Sequence, residues 1–590
     1  VDLFMANTRR ATTLAAVGAV AALALAACGG GSGDTTPSAS AASGYNAAID
    51  GIVNPSDKTG GTLSLGASGD CDSYDPARTY YAYCWDIQRL FTRSLMGFAP
   101  QPGVKGTELV PDLATAAGES NADKTEWKYT LKDGIKWEDG TPIKSGDIKY
   151  GIERLFATDV INGGPSSYYT SLLDDGTYKG PYADPNGDLA SVTTPDDKTI
   201  VFKLNKPFAD FDYLMALPTS SPVLKAKDTK ADYGQKPFAS GPYKFDSFEP
   251  GKSTTWSRNT NWDAATDTIR KPMVDKVTYT VVGDTADLDK RVLAGDIDLI
   301  ADGGIQPESR AIVLADPTKK ANADNPVTGF TRYIAVMQTV EPLTNKACRE
   351  AVFYAFNKAD YRKIRGGDTG GDIANTMTPP LVPGYTPDFN PYPDGADNTG
   401  DLEQAKAKLQ ECGQPNGFSI NLAYVNQGLG PDLFASVQQN LGRVGIKVGG
   451  APSDQATYYS TWIGSPKNLI DQKIGLGIAG WGADFPTAYG FWQSIANGNA
   501  ILPEGNSNYP SLNDPKVNDL LDQLTKEGDK DKAKALAVSL DQQVMANAVY
   551  LPVQFDKTFY YRNPRLTNVY LNGGVGNYYD YVNIGTSDGK

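Results

Sequence analysis

The chain has 590 residues, more than a single hydrophobic core normally serves, so two or three domains are expected. Its formal net charge of −14 argues against nucleic acid and anionic lipid surfaces as partners. Histidine is absent, which excludes Ser-His-Asp and Cys-His catalysis and His-ligated zinc or haem. In contrast, 32 Tyr, 20 Phe and 8 Trp supply the rigid amphipathic surface favoured at binding sites.

The first feature along the chain is Arg9-Arg10, followed by an apolar stretch from Leu14 to Ala27, then Cys28-Gly29-Gly30. Basic, then apolar, then small residues is the order of a secretory signal peptide. The apolar stretch is 14 residues long, short of the roughly 18 that a spanning helix needs. Leu25-Ala26-Ala27-Cys28 resembles a bacterial lipobox, which would make Cys28 the first mature residue and the point of lipid attachment. Arg9-Arg10 leaves Sec and twin-arginine export both open. Residues 28–58, rich in Gly, Ser, Thr, Ala and Pro, read as a flexible tether. Outside the cytoplasm the other four cysteines, Cys71, Cys84, Cys348 and Cys412, read as two disulfides. Of three pairings, closure of a short loop favours Cys71–Cys84, which leaves Cys348–Cys412 within a later segment.

Strand and helix signals then alternate. Thr62–Gly66 reads as a strand, Asp86–Phe91 as the start of a helix, and Trp127–Leu131 as a half-buried strand of period two. A helix over Ile148–Phe156 follows Asp147, and Thr199–Leu204 and Val277–Val282 are strands. Asn345–Asn357 is a helix. Leu402, Ala405 and Leu409 share a helix face that Gly413 is placed to end. Strand Phe418–Val425, helix Leu433–Val444, strand Ile446–Val448 and strand Lys473–Ala479, running into Gly480-Trp481, complete the pattern. It predicts α/β domains with largely parallel sheets. Asp184–Asp188 matches part of a calcium loop, but it lacks the sixth-position Gly and the distal Glu, so a polar turn is expected.

Several blocks, in order, resemble one known family. They are Leu109–Ala114, Trp127–Ile143 and Asp147–Arg154; Ser240-Gly241-Pro242-Tyr243; Leu293-Ala294-Gly295-Asp296-Ile297-Asp298; Pro342 to Lys358; Leu441–Val448; and Gly480-Trp481-Gly482-Ala483-Asp484-Phe485-Pro486. Together they resemble the extracytoplasmic solute-binding proteins, family 5, of peptide and nickel ABC importers, over about residues 60 to 590. Glu138 stands where many members carry His, in a structural turn. The resemblance implies a two-lobed periplasmic-binding-protein type II fold with an extra domain inserted in lobe I. Mapping the blocks gives lobe I as 59–96, 216–330 and 550–590, the insert as 97–215 and lobe II as 331–549. The ligand would lie between lobes that close by a hinge.

The same resemblance implies that Asp484 holds a ligand ammonium, at the carboxyl end of a strand where α/β sheets place ligands. Trp481 and Phe485 stand beside it, Trp481 being as consistent with lobe core. Tyr80, Tyr81 and Tyr83 fall where lobe I meets the ligand, and alternation in an extended segment would put Tyr81 and Tyr83 on one face. Asp302 and Gly303 follow a strand where backbone would approach the ligand. The implied role is a monomeric, lipid-anchored, extracytoplasmic substrate-binding protein without cofactor, metal or catalysis of its own. It would capture peptides and deliver them to an ABC permease. A non-peptide solute (an oligosaccharide, metal chelate or other metabolite) is the alternative, ahead of a carboxylate-dependent extracellular hydrolase or a surface receptor.

Overall fold

The computed structural model describes residues 41–161, 164–174, 176–454 and 457–589. The signal peptide and Cys28 lie outside the described residues. Three sheets organise the rest, each with its own core. The first has the strand order Tyr243–Glu249, Ser253–Arg258, Lys276–Val281, Thr62–Ala67, Leu299–Ile300. The second, in the inserted region, is the antiparallel set Glu119–Ser120, Glu126–Thr130, Thr199–Lys203, Val192–Thr193. The third has six strands in the order Gly371–Ile373, Tyr550–Lys557, Val327–Val336, Ile474–Gly482, Ser419–Val425, Lys447–Ser453.

Local sequence accounts for these elements. In Glu126–Thr130 the apolar Trp127 and Tyr129 are buried and the three polar residues are exposed, the period-two pattern of a sheet with one wet face. The helix expected over 345–357 is Lys346–Ala355, and a second helix, Lys358–Ile364, follows it. Asn345 caps Lys346–Ala355 by accepting from the Ala347 N–H at 2.9 Å, and Asn357 caps Lys358–Ile364 by accepting from Asp360 at 2.9 Å. Gly413, at φ 77°, follows helix Leu402–Glu411 in the left-handed conformation that glycine adopts freely.

The expectation of largely parallel sheets is corrected. Thr62–Ala67 runs parallel to both neighbours, and Ser419–Val425 is parallel to Lys447–Ser453 and Ile474–Gly482, but most other ladders are antiparallel. Where a helix intervenes, as Gly430–Gly442 does between 419–425 and 447–453, the chain can return parallel. Where only a turn at Pro250-Gly251 intervenes, the strands must be antiparallel.

Two further expectations move. The stretch read as tether is folded from its first described residues. Ala41–Ala42 pairs with Ile52–Val53, Ala48 is fully buried with its N–H on Asp324 Oδ1 at 3.0 Å, and the Ser56 N–H reaches Asn568 Oδ1 at 2.8 Å. Small residues gave a linker-like composition while fitting a tight surface groove. The limits at 330 and 550 fall within strands of the six-stranded sheet, since Val327 pairs with Lys557 and Ala335 with Tyr550. Just beyond, Ala323–Asp324 pairs with Tyr560–Tyr561 on the first-sheet side, so the chain crosses between sheets at Asn325-Pro326 and Thr558-Phe559. No helix among the described residues is long and apolar enough to cross a membrane.

Both disulfides form as Cys71–Cys84 and Cys348–Cys412, with Cα separations of 5.7 and 5.3 Å. The second ties helix Lys346–Ala355 to the residue that ends helix Leu402–Glu411. Replacing both Cys348 and Cys412 by Ala is expected to lower stability by about 2–4 kcal/mol, because a 64-residue separation is freed in the unfolded chain. Urea titration followed by tryptophan fluorescence measures it, with an unchanged midpoint as the contrary result.

Candidate functional site

Strand Ile474–Gly482 delivers the loop Ala483-Asp484-Phe485-Pro486 at its carboxyl end. Thr487 then caps helix Ala488–Ala496, its hydroxyl accepting from the Gly490 N–H at 3.0 Å. Two neighbouring residues of this loop face different surroundings. Phe485 is 2% exposed and sits in the core of the inserted region, with ring centroids 5.5 Å from Tyr168, 6.1 Å from Tyr213 and 6.5 Å from Phe208. Asp484 accepts a hydrogen bond from the Tyr80 hydroxyl at 2.9 Å on Oδ1 and another from the Tyr168 hydroxyl on Oδ2. The two sides are also joined where the Ala209 N–H donates to the Thr525 carbonyl at 2.7 Å. Near this seam, burial pushes the Asp210 carboxyl up to about 6, opposed by a hydrogen bond from Thr487.

These contacts enclose a cavity of about 290 Å³ between the sheets. One wall holds Trp85 and Arg89 of helix Ala82–Gln88 and its end, with Phe98 and Leu217. The opposite wall holds Phe330, Arg332, Leu381, Val382 and the 482–486 loop. Gly573–Gly576 and Tyr578 close one side.

The floor is set by register. Phe330 and Arg332 are two apart on strand Val327–Val336 and so share a face, while Thr331 between them is buried on the other, its hydroxyl donating to the Met377 carbonyl at 2.7 Å. Their cross-strand partners are Gly482 and Gly480. A Cβ at Gly482 would come within 2.9 Å of the Phe330 ring, and one at Gly480 within 2.5 Å of Arg332 Nη1. The glycines therefore let both side chains lie across the adjacent strand.

The charges of the lining are nearly all answered. Arg89 pairs with Asp86 and Asp580 at 2.8 Å each. Arg332 pairs with Asp556, which Arg365 also approaches at 3.4 Å, and Lys557 pairs with Asp372. Asp484 alone among the lining charges has only neutral partners: it makes no ion pair among the described residues. Desolvation raises its carboxyl above the ordinary Asp range, against the lowering effect of the Tyr168 and Tyr80 hydrogen bonds. Burial, then the nearby Asp484 charge, pushes both phenols up, so they remain donors.

The residues expected from sequence are only partly brought together. Asp484 and Phe485 line the cavity and Tyr80, 46% exposed, touches Asp484. Trp481 does not line it: its Nε1–H donates to the Phe491 carbonyl at 2.7 Å and its ring packs on the core of the six-stranded sheet. Tyr81 and Tyr83 are not on an extended segment. Tyr81 precedes helix Ala82–Gln88 and Tyr83 lies in it, their rings stacked at 5.8 Å away from the cavity lining. The helix begins at Ala82, four residues before the expected Asp86, with Cys84 in its first turn bridged to Cys71. Asp302 and Gly303 line a separate cavity of about 110 Å³, where Asp302 Oδ2 accepts from the Ser68 N–H at 2.8 Å. In the 184–188 turn, the Gly187 N–H bonds the Asp184 carbonyl and Asp188 pairs with Lys149.

Sequence reasoning missed Tyr168, Phe330 and Arg332. The signal for the last two was present as Phe-x-Arg on one strand and Gly-x-Gly on another, but only the register joins them.

Residues 108–502 match the family model described as bacterial extracellular solute-binding proteins, family 5 Middle. The probable D,D-dipeptide-binding periplasmic protein DdpA of Escherichia coli K12 is 26% identical over 447 residues, covering 73% of this chain and 76% of its own. The glutathione-binding protein GsiB of the same strain is 22% identical over 482 residues, covering 80% and 86%. Among solved structures, clavulanic acid biosynthesis oligopeptide binding protein 2 superposes with a TM-score of 0.89 at 41% identity, over 93% of this chain and 99% of that one. DppA from Helicobacter pylori, in complex with the peptide STSA, shares the fold at a TM-score of 0.68 and 19% identity, over 90% and 99%.

A raised carboxyl binds more protons in the folded than in the unfolded state, so Asp484 subtracts stability as pH climbs through its folded value. For ligand-free protein, the melting temperature of Asp484→Asn minus that of the wild type is therefore expected to grow between pH 4 and pH 7. Scanning calorimetry at both pH values reads it, and a difference that is flat or shrinks is the contrary outcome.

Proposed function

Because the chain belongs to the bacterial extracellular solute-binding proteins of family 5, we propose that it captures peptides between its two lobes and hands them to the membrane permease of an ABC importer, without catalysing a reaction. The observation that carries this reading is Asp484: a desolvated carboxylate in the wall of the cavity between the sheets, satisfied only by neutral phenols. A buried carboxylate without a cation is costly, and a ligand ammonium supplies the missing charge.

The other charges of the same wall support a zwitterionic cargo. Asp556 is shared by Arg332 and Arg365, so two guanidinium groups meet one carboxylate and one positive charge is left over beside the cavity. Amine at Asp484 and carboxylate toward Arg332 is the polarity these charges favour. The names of DdpA, GsiB and the oligopeptide-binding protein point to cargo of the same class.

On this reading the lobes are 41–96, 216–326 and 558–590 for the first, 327–557 for the second, and 97–215 for the insert. The crossovers Asn325-Pro326 and Thr558-Phe559 form the hinge. Cys28 carries the lipid that keeps the protein at the outer face of the membrane.

Titration calorimetry of ligand-stripped protein with a free-amine tripeptide and its N-acetylated form tests the assignment. Asp484→Ala is expected to weaken the free-amine peptide at least about 30-fold, the scale of removing one partner from a buried charge pair. The acetylated peptide should bind both proteins equally weakly. Equal affinity of wild type and variant for the free-amine peptide overturns it.

A further inference from the structure

The cavity that holds the unpaired carboxylate is lined mainly by apolar surface between its paired charges, and one of its aromatic residues is unusually uncovered. Phe330 is 43% exposed, among the few large apolar side chains so open, although it sits in the central ladder of the six-stranded sheet rather than on a loop tip. It is held flat on two sides. Gly482 across the ladder provides the space beneath the ring, and the Arg332 guanidinium lies 5.8 Å from its centroid. Trp85, Phe98, Leu217, Leu381 and Val382 continue the apolar surface around the same space.

An exposed, positioned ring inside a closing cleft calls for an apolar partner, since water gains little there and a glycine-like ligand would leave the walls uncovered. Charged side chains fare worse. Arg89 and Lys557 are already paired, the surplus charge beside Arg332 is matched by a ligand carboxylate, and Asp484 is taken by the amine. A basic side chain entering this space would find no free anion, and burying it unpaired is unfavourable.

We propose that Phe330 is the side-chain-selecting platform of the cleft, and that the peptides captured carry an apolar, by preference aromatic, side chain that packs on its ring. This rests on the peptide reading above but concerns a different residue. Ring-on-ring contact adds to the burial of the side chain itself, enough for at least a tenfold preference over glycine.

The test is calorimetric titration of ligand-stripped protein with Ala-Phe-Ala, Ala-Gly-Ala and Ala-Lys-Ala. The wild type should bind the Phe peptide at least tenfold more tightly than either of the others. Phe330→Ala should bring the three within about threefold of one another, and Phe330→Leu should keep part of the preference while guarding against a folding defect. Asp484→Asn should weaken all three by a similar factor and leave their order intact. Wild-type affinities within threefold, or a Phe preference that survives Phe330→Ala, overturn the platform. A Phe preference that depends on Phe330 but is indifferent to Asp484→Asn would remove the amine anchor and leave the platform standing. If none of the three binds the wild type, the peptide reading fails and the platform falls with it.

Discussion

The antiparallel register of Val327–Val336 against Ile474–Gly482 underlies most of what this protein does. It sets Gly480 and Gly482 opposite Arg332 and Phe330, so that two large side chains can lie across a neighbouring strand. The same strand runs directly into the loop that presents Asp484, and its partner begins immediately after the crossover Asn325-Pro326. Floor, anchor and crossover are thus fixed by a single ladder. A slip of one residue would turn Phe330 and Arg332 into the core and Thr331 into the cleft.

Closure follows from this arrangement. The loop after the ladder sends adjacent residues to opposite tasks: Phe485 plugs the aromatic core of the inserted region, and Asp484 is drawn out of water against two phenols. The first contact favours closing through apolar burial. The second opposes it through desolvation of a charge. On the proposed reading, that balance makes the empty closed state less favourable than one holding an ammonium, which is what a capture protein needs if it is to stay open until cargo arrives. The inserted region takes part directly, because both Tyr168 and the pocket for Phe485 belong to it.

Much of the fold was legible in the residues. Period-two alternation found Trp127 and Tyr129, capping chemistry placed a start at Asn345, and glycine marked the end at Gly413, whereas the helix expected after Asp147 begins earlier, at Ser145, with Asp147 in its first turn. The site was legible at Asp484 because the motif around it carries its own context. Trp481, one residue from the glycines, could not be assigned to core or cleft without knowing which way the strand faces. The Tyr80–Tyr83 run misled because a period of two in sequence says nothing about a helix begun by a disulfide-bridged turn. Tyr168 lies more than 300 positions from its carboxylate partner, and no pattern within one sequence encodes a meeting at that distance. The parallel-sheet expectation failed for a related reason. Alternation of strand and helix predicts crossovers, whereas the short turns that force antiparallel pairs carry little periodic signal.

The early packing of the chain bears on how the protein is held at a surface. Residues from Ala41 onward are pinned to the first sheet through Ala48, Val53 and Ser56, so they add nothing to the length of a leash. On the proposed lipid attachment at Cys28, only residues 29–40 separate the anchor from Ala41, and covalent geometry limits that distance to at most about 40 Å. Under that proposal the body is confined to a shallow layer above the bilayer, and its encounters with a membrane partner take place at the high effective concentration of a confined reactant.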